Sequence, residues 1–236
     1  MADLDRPSSA DELYLARGDE VEPYRPILTG DVFEGIVVPG TDADAGLAMV
    51  VAHPCSMRRG AHMRPYVQMA PVRDGDPIGL TAWGRGHYGV MPLPGLRAPD
   101  DLRDRAVFED ACRVPTEWLH RARRLACLSP QGILLLLQRL TFNVTRHAVE
   151  LETLKKAIDY VLEEAELLEE WMRARLDLAG GEHLENVAAR IREQEEAFDE
   201  VLRREVDGKT LRDLLRNPES RATVRREVRA AMTGGR

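Results

Sequence analysis

The residues best suited to chemistry lie in one acid-free stretch, residues 48–72, with the sequence AMVVAHPCSMRRGAHMRPYVQMAPV. Two apolar runs flank a turn that contains two histidines, one cysteine and three arginines: His53, Cys55, Arg58, Arg59, His62 and Arg64. Such residue types serve in a metal site, in a cysteine nucleophile with its base, or in an anion-binding loop. They also occur in a hairpin whose charges are only solvated.

The spacing of these residues argues against metal and against covalent catalysis. Zinc sites carry paired spacings such as CxxC or HxxxH, and His53, Cys55 and His62 show neither. A cysteine nucleophile also needs a base and a third group that orients the base, and nothing identifies that third group for Cys55. We therefore expect no metal, no cofactor and no catalytic residue in this stretch.

An anion site fits the composition of the turn better. Arginines on a loop with Gly60 can contact phosphate, and His62 and Tyr66 can stack on a base. The predicted ligand-binding or nucleic-acid-binding residues are Arg58, Arg59, His62, Arg64, Tyr66 and Arg73. A second interpretation stays open: residues 1–50 hold eleven acidic residues against three arginines, and this acidic segment could simply neutralise the turn.

Composition limits the classes of function. The chain has 236 residues and a net charge of −7, which disfavours bulk nucleic-acid binding. Its longest apolar run, ILLLL at 133–137, is far below the roughly 20 residues of a membrane span. Three widely spaced cysteines and an acidic N-terminus without an apolar core predict a reducing, cytoplasmic location and no secretory signal. The preference for Arg over Lys suggests a GC-rich, bacterial coding sequence.

The first half of the chain predicts an antiparallel β-barrel. Short apolar runs bounded by Gly and Pro are typical of strands, and the gaps between them leave no room for crossover helices. The predicted strands are 31–38, 46–52, 65–72, 78–83 and 87–93, with 106–114 as a sixth candidate.

The second half predicts helices. Thr116 is expected to cap a short helix that carries Leu119, Ala122 and Leu125 on one face. Ser129-Pro130 is expected to start a second, buried helix that connects the two halves of the chain. Its buried residues are expected to be Ile133, Leu134, Leu137, Leu140 and Val144. Heptad seams over 151–172 and 184–201, the second with Gln194 inward, predict an antiparallel hairpin turning at Gly180-Gly181 and ending at Asp207-Gly208. Thr210 and Asn217-Pro218 are expected to start two short helices.

The expected domains follow from these patterns. They are an acidic arm (1–29), a small β-barrel (30–114), connecting helices (115–150), the helical hairpin (151–206) and a helical basic tail (207–236). The fold class is α+β. Glutamates 163–170 are interpreted as a solvated face, because di-iron chemistry would require Glu-x-x-His on facing helices. The tail arginines at 221–229 are interpreted as surface charge or, alternatively, as a binding arm.

Residues 30–73 resemble the opening of the MazF/PemK-like toxins, through GDVFEGIVVPGTDADAGLAMVVAHP followed by PYVQMAPV. The resemblance implies an SH3-like small barrel. That family cuts RNA with an arginine from the loop before the second apolar strand and a Thr or Ser after the Pro-ending strand. In this chain the loop GTDADAG has no arginine, and Arg73 and Asp74 stand where the hydroxyl is expected.

The sequence thus predicts a non-enzymatic binding or adaptor subunit. Its basic turn would hold a phosphate-bearing or acidic ligand, nucleic acid included, and its helical hairpin would bind a protein partner or a second copy of the chain. The resemblance implies a role in a bacterial defence or toxin-like system. The alternative function is a divergent MazF-like endoribonuclease.

Overall fold

The structure is a computed structural model that describes residues 3–39, 45–59, 62–176 and 184–233, with 59, 62 and 184–188 described by backbone only. These residues divide into two compact units. The first, called the sheet unit here, draws on 1–22, 27–57 and 64–157. The second, called the helical unit, draws on 23–26, 58–63 and 158–236. The α+β class is confirmed.

The strands follow one another as β1 (Tyr14–Arg17), β2 (Val32–Ile36), β3 (Gly46–Val50), β4 (Arg58–Arg59), β5 (His62–Met63), β6 (Tyr66–Arg73), β7 (Val90–Pro92), β8 (Arg105–Val107), β9 (Cys112–Pro115), β10 (Arg123–Leu128), β11 (Glu205–Val206) and β12 (Lys209–Thr210). The helices are α1 (Ala10–Leu13), α2 (Pro54–Met57), α3 (Thr116–Leu119), α4 (Pro130–Thr145), α5 (Leu151–Arg175), α6 (Leu184–Leu202), α7 (Leu211–Leu215) and α8 (Arg221–Thr233).

Eight of these strands form one antiparallel sheet, curled into half a barrel. The strand order is β1-β10-β2-β3-β6-β8-β7, and β9 also pairs with β6. At its centre Val32, Met49 and Ala70 stand opposite one another on β2, β3 and β6, and all three are fully buried. The predicted strands at 31–38, 46–52 and 65–72 are confirmed, because their apolar side chains cross the middle of the sheet.

Three strand predictions need correction. The segment 78–83 is no strand: Leu80–Ala82 is a turn of 3-10 helix, in which the Ala82 N–H donates to the Gly79 carbonyl at 2.9 Å. The predicted strand 87–93 shortens to β7. A 3-10 turn at Phe108–Asp110 divides 106–114 into the end of β8 and the start of β9.

Two strands lie where the sequence pattern predicts none. Strand β1 lies within the segment interpreted as an acidic arm, and β10 lies among the predicted connecting helices. The helix predicted from Thr116 ends at Leu119, and Pro115, not Thr116, occupies its N-cap position. The spacing of Leu119, Ala122 and Leu125 imitates a helical period, whereas the buried run Ala126, Cys127 and Leu128 continues a strand.

Helix α4 begins as predicted. The Ser129 hydroxyl accepts a hydrogen bond from the Gly132 N–H, Pro130 follows the cap, and Arg146 ends the helix in the left-handed conformation. The apolar run from Ile133 to Leu137 is buried, so α4 belongs to the core of the sheet unit. Val144 is 81% exposed, and its assignment to the buried face was wrong.

A buried arginine on α4 fixes the loop before β7. Arg139 is fully buried and donates hydrogen bonds to the carbonyls of Trp83, His87 and Val90 at 2.7–3.0 Å. Burial lowers the pKa of Arg139 to about 10. Trp83 is also fully buried, so its side chain belongs to the core of the sheet unit.

The core of the helical unit lies among α5, α6, α7 and α8. Its fully buried members include Met172, Leu202, Leu215, Val224 and Val228. Gln194 faces inward as predicted, and its Oε1 accepts from the Trp171 Nε1 at 3.3 Å. The expected turn at Gly180-Gly181 lies outside the described residues. No described helix is long and apolar enough to cross a membrane.

After α6 the chain makes a small ribbon before the last helices. Asp207 and Gly208 form the tight turn between β11 and β12, with φ of 53° and 76°. The Thr210 side chain then caps α7, as predicted. Asn217 caps a 3-10 turn at Pro218–Ser220 that leads into α8.

The glutamate-rich face of α5 is not simply solvated, which corrects the sequence interpretation. Glu163 is buried, and Arg225 of α8 donates to both of its carboxylate oxygens. The same helix pair is joined by Arg221 to Asp159 and by Arg229 to Glu170. Along α5 and α8 the paired residues follow one another in the same order, so α8 runs parallel to α5. The tail arginines therefore have an intramolecular role, which neither earlier interpretation included.

Candidate nucleic-acid interface

The six predicted ligand-binding residues are divided between the two units, with Arg58, Arg59 and His62 in the helical unit and Arg64, Tyr66 and Arg73 in the sheet unit. Arg58 belongs to the helical unit, where its Nη1 lies 3.0 Å from the Glu195 Oε1 and its side chain is only 19% exposed. Arg58 is therefore mostly buried, and a carboxylate already pairs with it. Arg59 and His62 stand opposite each other in the β4-β5 ribbon, and their side chains lie outside the described residues.

Arg73 is far from the turn. It ends β6, seven residues beyond Tyr66, and a strand rises by about 3.3 Å per residue, so roughly 23 Å separates their backbones. Its guanidinium pairs with Asp110 at 2.9 Å. Because a carboxylate already neutralises Arg73, we remove it from the candidate site.

Tyr66 lies at the start of β6 and is 49% exposed. Strand β9 runs antiparallel beside it, with Gln68 opposite Arg113. This register puts Arg113 diagonally across from Tyr66, and its Cζ lies 5.0 Å from the centre of the Tyr66 ring. Sequence reasoning missed Arg113, because the pairing of β6 with β9 is needed to find it.

Arg64 precedes this pair on a backbone that is held from two sides. Its N–H donates to the Met57 carbonyl at 2.8 Å, and its carbonyl accepts from the Thr116 hydroxyl at 2.6 Å. The adjoining Pro65 carbonyl accepts from the Thr116 N–H at 3.0 Å. The side chain of Arg64 is exposed. Across the part of the chain that the structure describes, no carboxylate pairs with Arg64 or with Arg113.

Helix α3 adds a second aromatic side chain to this region. It follows β9 directly and carries Trp118, which is 36% exposed, and Arg121 comes just after it with an exposed side chain. The sequence did contain a signal for Trp118, since it falls outside the apolar spacing of Leu119, Ala122 and Leu125. We call Arg64, Tyr66, Arg113, Trp118 and Arg121 the aromatic-basic patch.

His53 and Cys55, in the acid-free stretch, contact each other. The Cys55 N–H donates to the His53 Nδ1 at 3.2 Å, and local desolvation lowers the pKa of His53. Within the described ranges, no group of three or more His, Cys, Asp or Glu side chains is arranged to hold a metal ion.

Comparison of the chain with protein-family models, with curated proteins and with solved structures found no match. The similarity of residues 30–73 to MazF/PemK-like toxins therefore stays a prediction. The segment covers β2, β3 and β6, the three strands at the middle of the sheet.

Proposed function

We propose that this chain is a non-enzymatic binding protein of the cytoplasm, and that its aromatic-basic patch binds single-stranded nucleic acid. The observation that carries the proposal is the exposed Tyr66 ring with Arg113 stacked on it, close in sequence to Arg64, which no carboxylate of the described residues pairs with. Proteins that bind single-stranded nucleic acid combine aromatic side chains, on which bases stack, with cations that contact the nucleic-acid backbone. The net charge of −7 opposes the approach of a polyanion, so we expect micromolar rather than nanomolar affinity.

The patch differs from other arginine-rich surfaces of this chain in one respect. An arginine already paired with a carboxylate must give up that partner before it can contact a phosphate. Arg64 and Arg113 have no such partner among the described residues, so their contacts to phosphate replace only water and counterions. The Arg113 guanidinium covers only part of the Tyr66 ring, so the rest of the ring is exposed and can stack on a base.

Substitution of Tyr66 tests the proposal. We expect Tyr66→Ala to weaken binding of a fluorescent 12-nucleotide RNA roughly tenfold, because base stacking on an aromatic side chain contributes about 1–3 kcal/mol. Tyr66→Phe keeps the ring and is the matched control, with affinity close to wild type. Fluorescence anisotropy measures both.

Equal affinity in wild type and Tyr66→Ala would remove Tyr66 from the site. Loss with both variants would point to the hydroxyl and not to stacking. An acidic peptide that competes with RNA at equal concentration would favour an acidic protein ligand. The same incubation tests the ribonuclease alternative, since we expect bound RNA to stay intact, and shortened products would establish cleavage.

We further propose that the curled sheet is a divergent SH3-like barrel. The support is the consecutive antiparallel order β2-β3-β6, which is formed by the three longer strands of the MazF/PemK-like segment. An experimental structure with strands that do not close in that topology would reject this relationship, and it would leave the patch proposal unaffected.

The helical unit is proposed as the protein-binding half of an adaptor, with α5 and α6 as the arms of an antiparallel hairpin. Two contacts support the antiparallel arrangement. Trp171 packs edge-on against Phe198 with ring centres 5.8 Å apart, and Arg212 bridges the earlier Glu164 to the later Asp199. A second copy of the chain is the partner we expect, and sedimentation showing only monomer at micromolar concentration would reject it. By the MazF/PemK-like resemblance, the adaptor would serve a bacterial defence or toxin-like system.

A further inference from the structure

The helical unit contains a cavity of about 480 Å³ between α5, α6 and α8. This volume lies within the roughly 300–1,000 Å³ of small-molecule sites. Its walls combine apolar side chains, chiefly Trp171, Val201 and three alanines, with two cations and two carboxylates. The charged residues are Arg175, Glu200, Arg204 and Glu227.

Arg175 is held in place by an aromatic ring and by a backbone carbonyl. Its guanidinium stacks on Trp171, with the Cζ 4.3 Å from the ring centre, and its Nη2 donates to the Ala231 carbonyl at 2.7 Å. The Nε of Arg175 is buried and has no acceptor within the described part of the chain. A buried N–H without an acceptor is costly. Arg175 also lines the cavity, so its guanidinium is placed to donate to an anionic oxygen there.

The other charged residues on the walls add both signs. Glu200 lies near the end of α6 and Arg204 follows two residues after the helix. Both are exposed, and within the described residues no ion pair joins them or links either to another residue. Glu227 lies across the cavity on α8. Because cations and carboxylates balance, the cavity suits a ligand that carries both charges more than it suits an anion.

We propose that this cavity binds a small zwitterion of the α-amino-acid class with an apolar side chain. The ligand carboxylate accepts from Arg175 and Arg204, and the ammonium group donates to Glu200 and Glu227. The ligand side chain packs against Val201 and the alanines. The proposal is independent of nucleic-acid binding, because every residue involved belongs to the helical unit.

Calorimetric titration of the full chain with L-phenylalanine and L-leucine tests the site. We expect saturable binding of at least one of them. 3-Phenylpropionate lacks the ammonium group and phenethylamine lacks the carboxylate, so each should bind roughly tenfold more weakly than L-phenylalanine, or worse. No heat of binding for either amino acid at millimolar concentration would overturn the proposal, as would equal binding of L-phenylalanine and 3-phenylpropionate.

Two substitutions then locate the site. Arg204→Gln and Glu200→Gln should each weaken binding roughly tenfold, since each removes one charged hydrogen-bond partner of the ligand. Arg192→Gln and Glu196→Gln are matched controls, exposed residues on the same helix that do not line the cavity. Both test residues are exposed, so the fold should survive, and circular dichroism checks that it does. Unchanged affinity in both test variants would overturn the assignment.

Discussion

Two pairs of arginines, one pair in each unit of this protein, have similar exposure but different partners. In the sheet unit, Arg64 and Arg113 are exposed and meet no carboxylate in the described chain. In the helical unit, Arg225 and Arg229 keep 45% and 57% of their side chains exposed, yet each pairs with a glutamate of α5. Exposure alone therefore does not identify the arginines that join two helices. The carboxylate partner does.

The two sets are expected to respond differently to substitution. Removing an arginine of the helical unit leaves a carboxylate that folding has partly desolvated, so the cost falls on stability. Removing an arginine of the aromatic-basic patch leaves no such group behind, so the cost falls on binding. The predictions below test this difference.

The largest effect on stability is expected at Arg212. Its guanidinium lies 2.9 Å from a Glu164 oxygen and also pairs with Asp199, whose side chain is almost completely buried. We expect Arg212→Ala to lower the free energy of unfolding by about 2 kcal/mol, because the buried carboxylate loses a cation. Urea denaturation followed by circular dichroism measures the change.

Arg226→Ala is the matched control for Arg212→Ala. Among the described residues, Arg226 pairs only with its partly exposed sequence neighbour Glu227, at 3.5 Å, and exposed pairs contribute less than about 1 kcal/mol. Similar losses in the two variants would show that burial of the carboxylate does not matter here.

A charge exchange between α5 and α8 tests their parallel arrangement. Glu163→Arg places a like charge beside Arg225 at a buried position, and we expect a loss of about 1–2 kcal/mol, because a buried charge without a partner is costly. Adding Arg225→Glu should recover most of the loss, because the pair re-forms with reversed signs. A double variant no more stable than Glu163→Arg would contradict the pairing, and the double-mutant cycle measures the coupling.

These pairings show what the sequence could and could not predict. Strands β2, β3 and β6 and the start of α4 follow from local signals, namely apolar runs between turn residues and the Ser129-Pro130 cap. Strand β10 was not predicted, because it contains Arg124, which looks unsuited to a buried strand. The charge of Arg124 is neutralised by Asp31, a partner that is distant in sequence.

The site was harder to predict than the fold for the same reason. Arg58 appeared exposed until its partner Glu195, 137 residues away, was known. Tyr66 was predicted from its residue type, but Arg113 required the register between β6 and β9. A charged residue's role depends on distant neighbours, and local spacing carries no information about them.

Acid should weaken the contact between α5 and α8. The hydrogen bond from Arg229 lowers the pKa of Glu170 below its usual value of 4.5, so this carboxylate contributes stability above that value and loses it as pH falls through the lowered pKa. Glu170→Gln should therefore show a smaller loss of stability between about pH 5 and pH 3. Equal acid dependence in wild type and variant, by thermal denaturation, would exclude this contribution.

The central claim is that arginines without carboxylates bind the ligand, and salt-dependent binding of a 12-nucleotide single-stranded RNA tests it most directly. The test variant is Arg64→Ala/Arg113→Ala, and the control is Arg73→Ala/Arg85→Ala, which removes two acid-paired arginines of the same unit and changes the net charge equally. We predict that the test variant binds the RNA more weakly than wild type. Its slope of log affinity against log salt concentration should be smaller by about 1.4, because each of two lost phosphate contacts contributes about 0.7. Its free energy of unfolding should stay within about 0.5 kcal/mol of wild type. The control should keep the wild-type slope. Equal slopes in the two double variants would contradict the account.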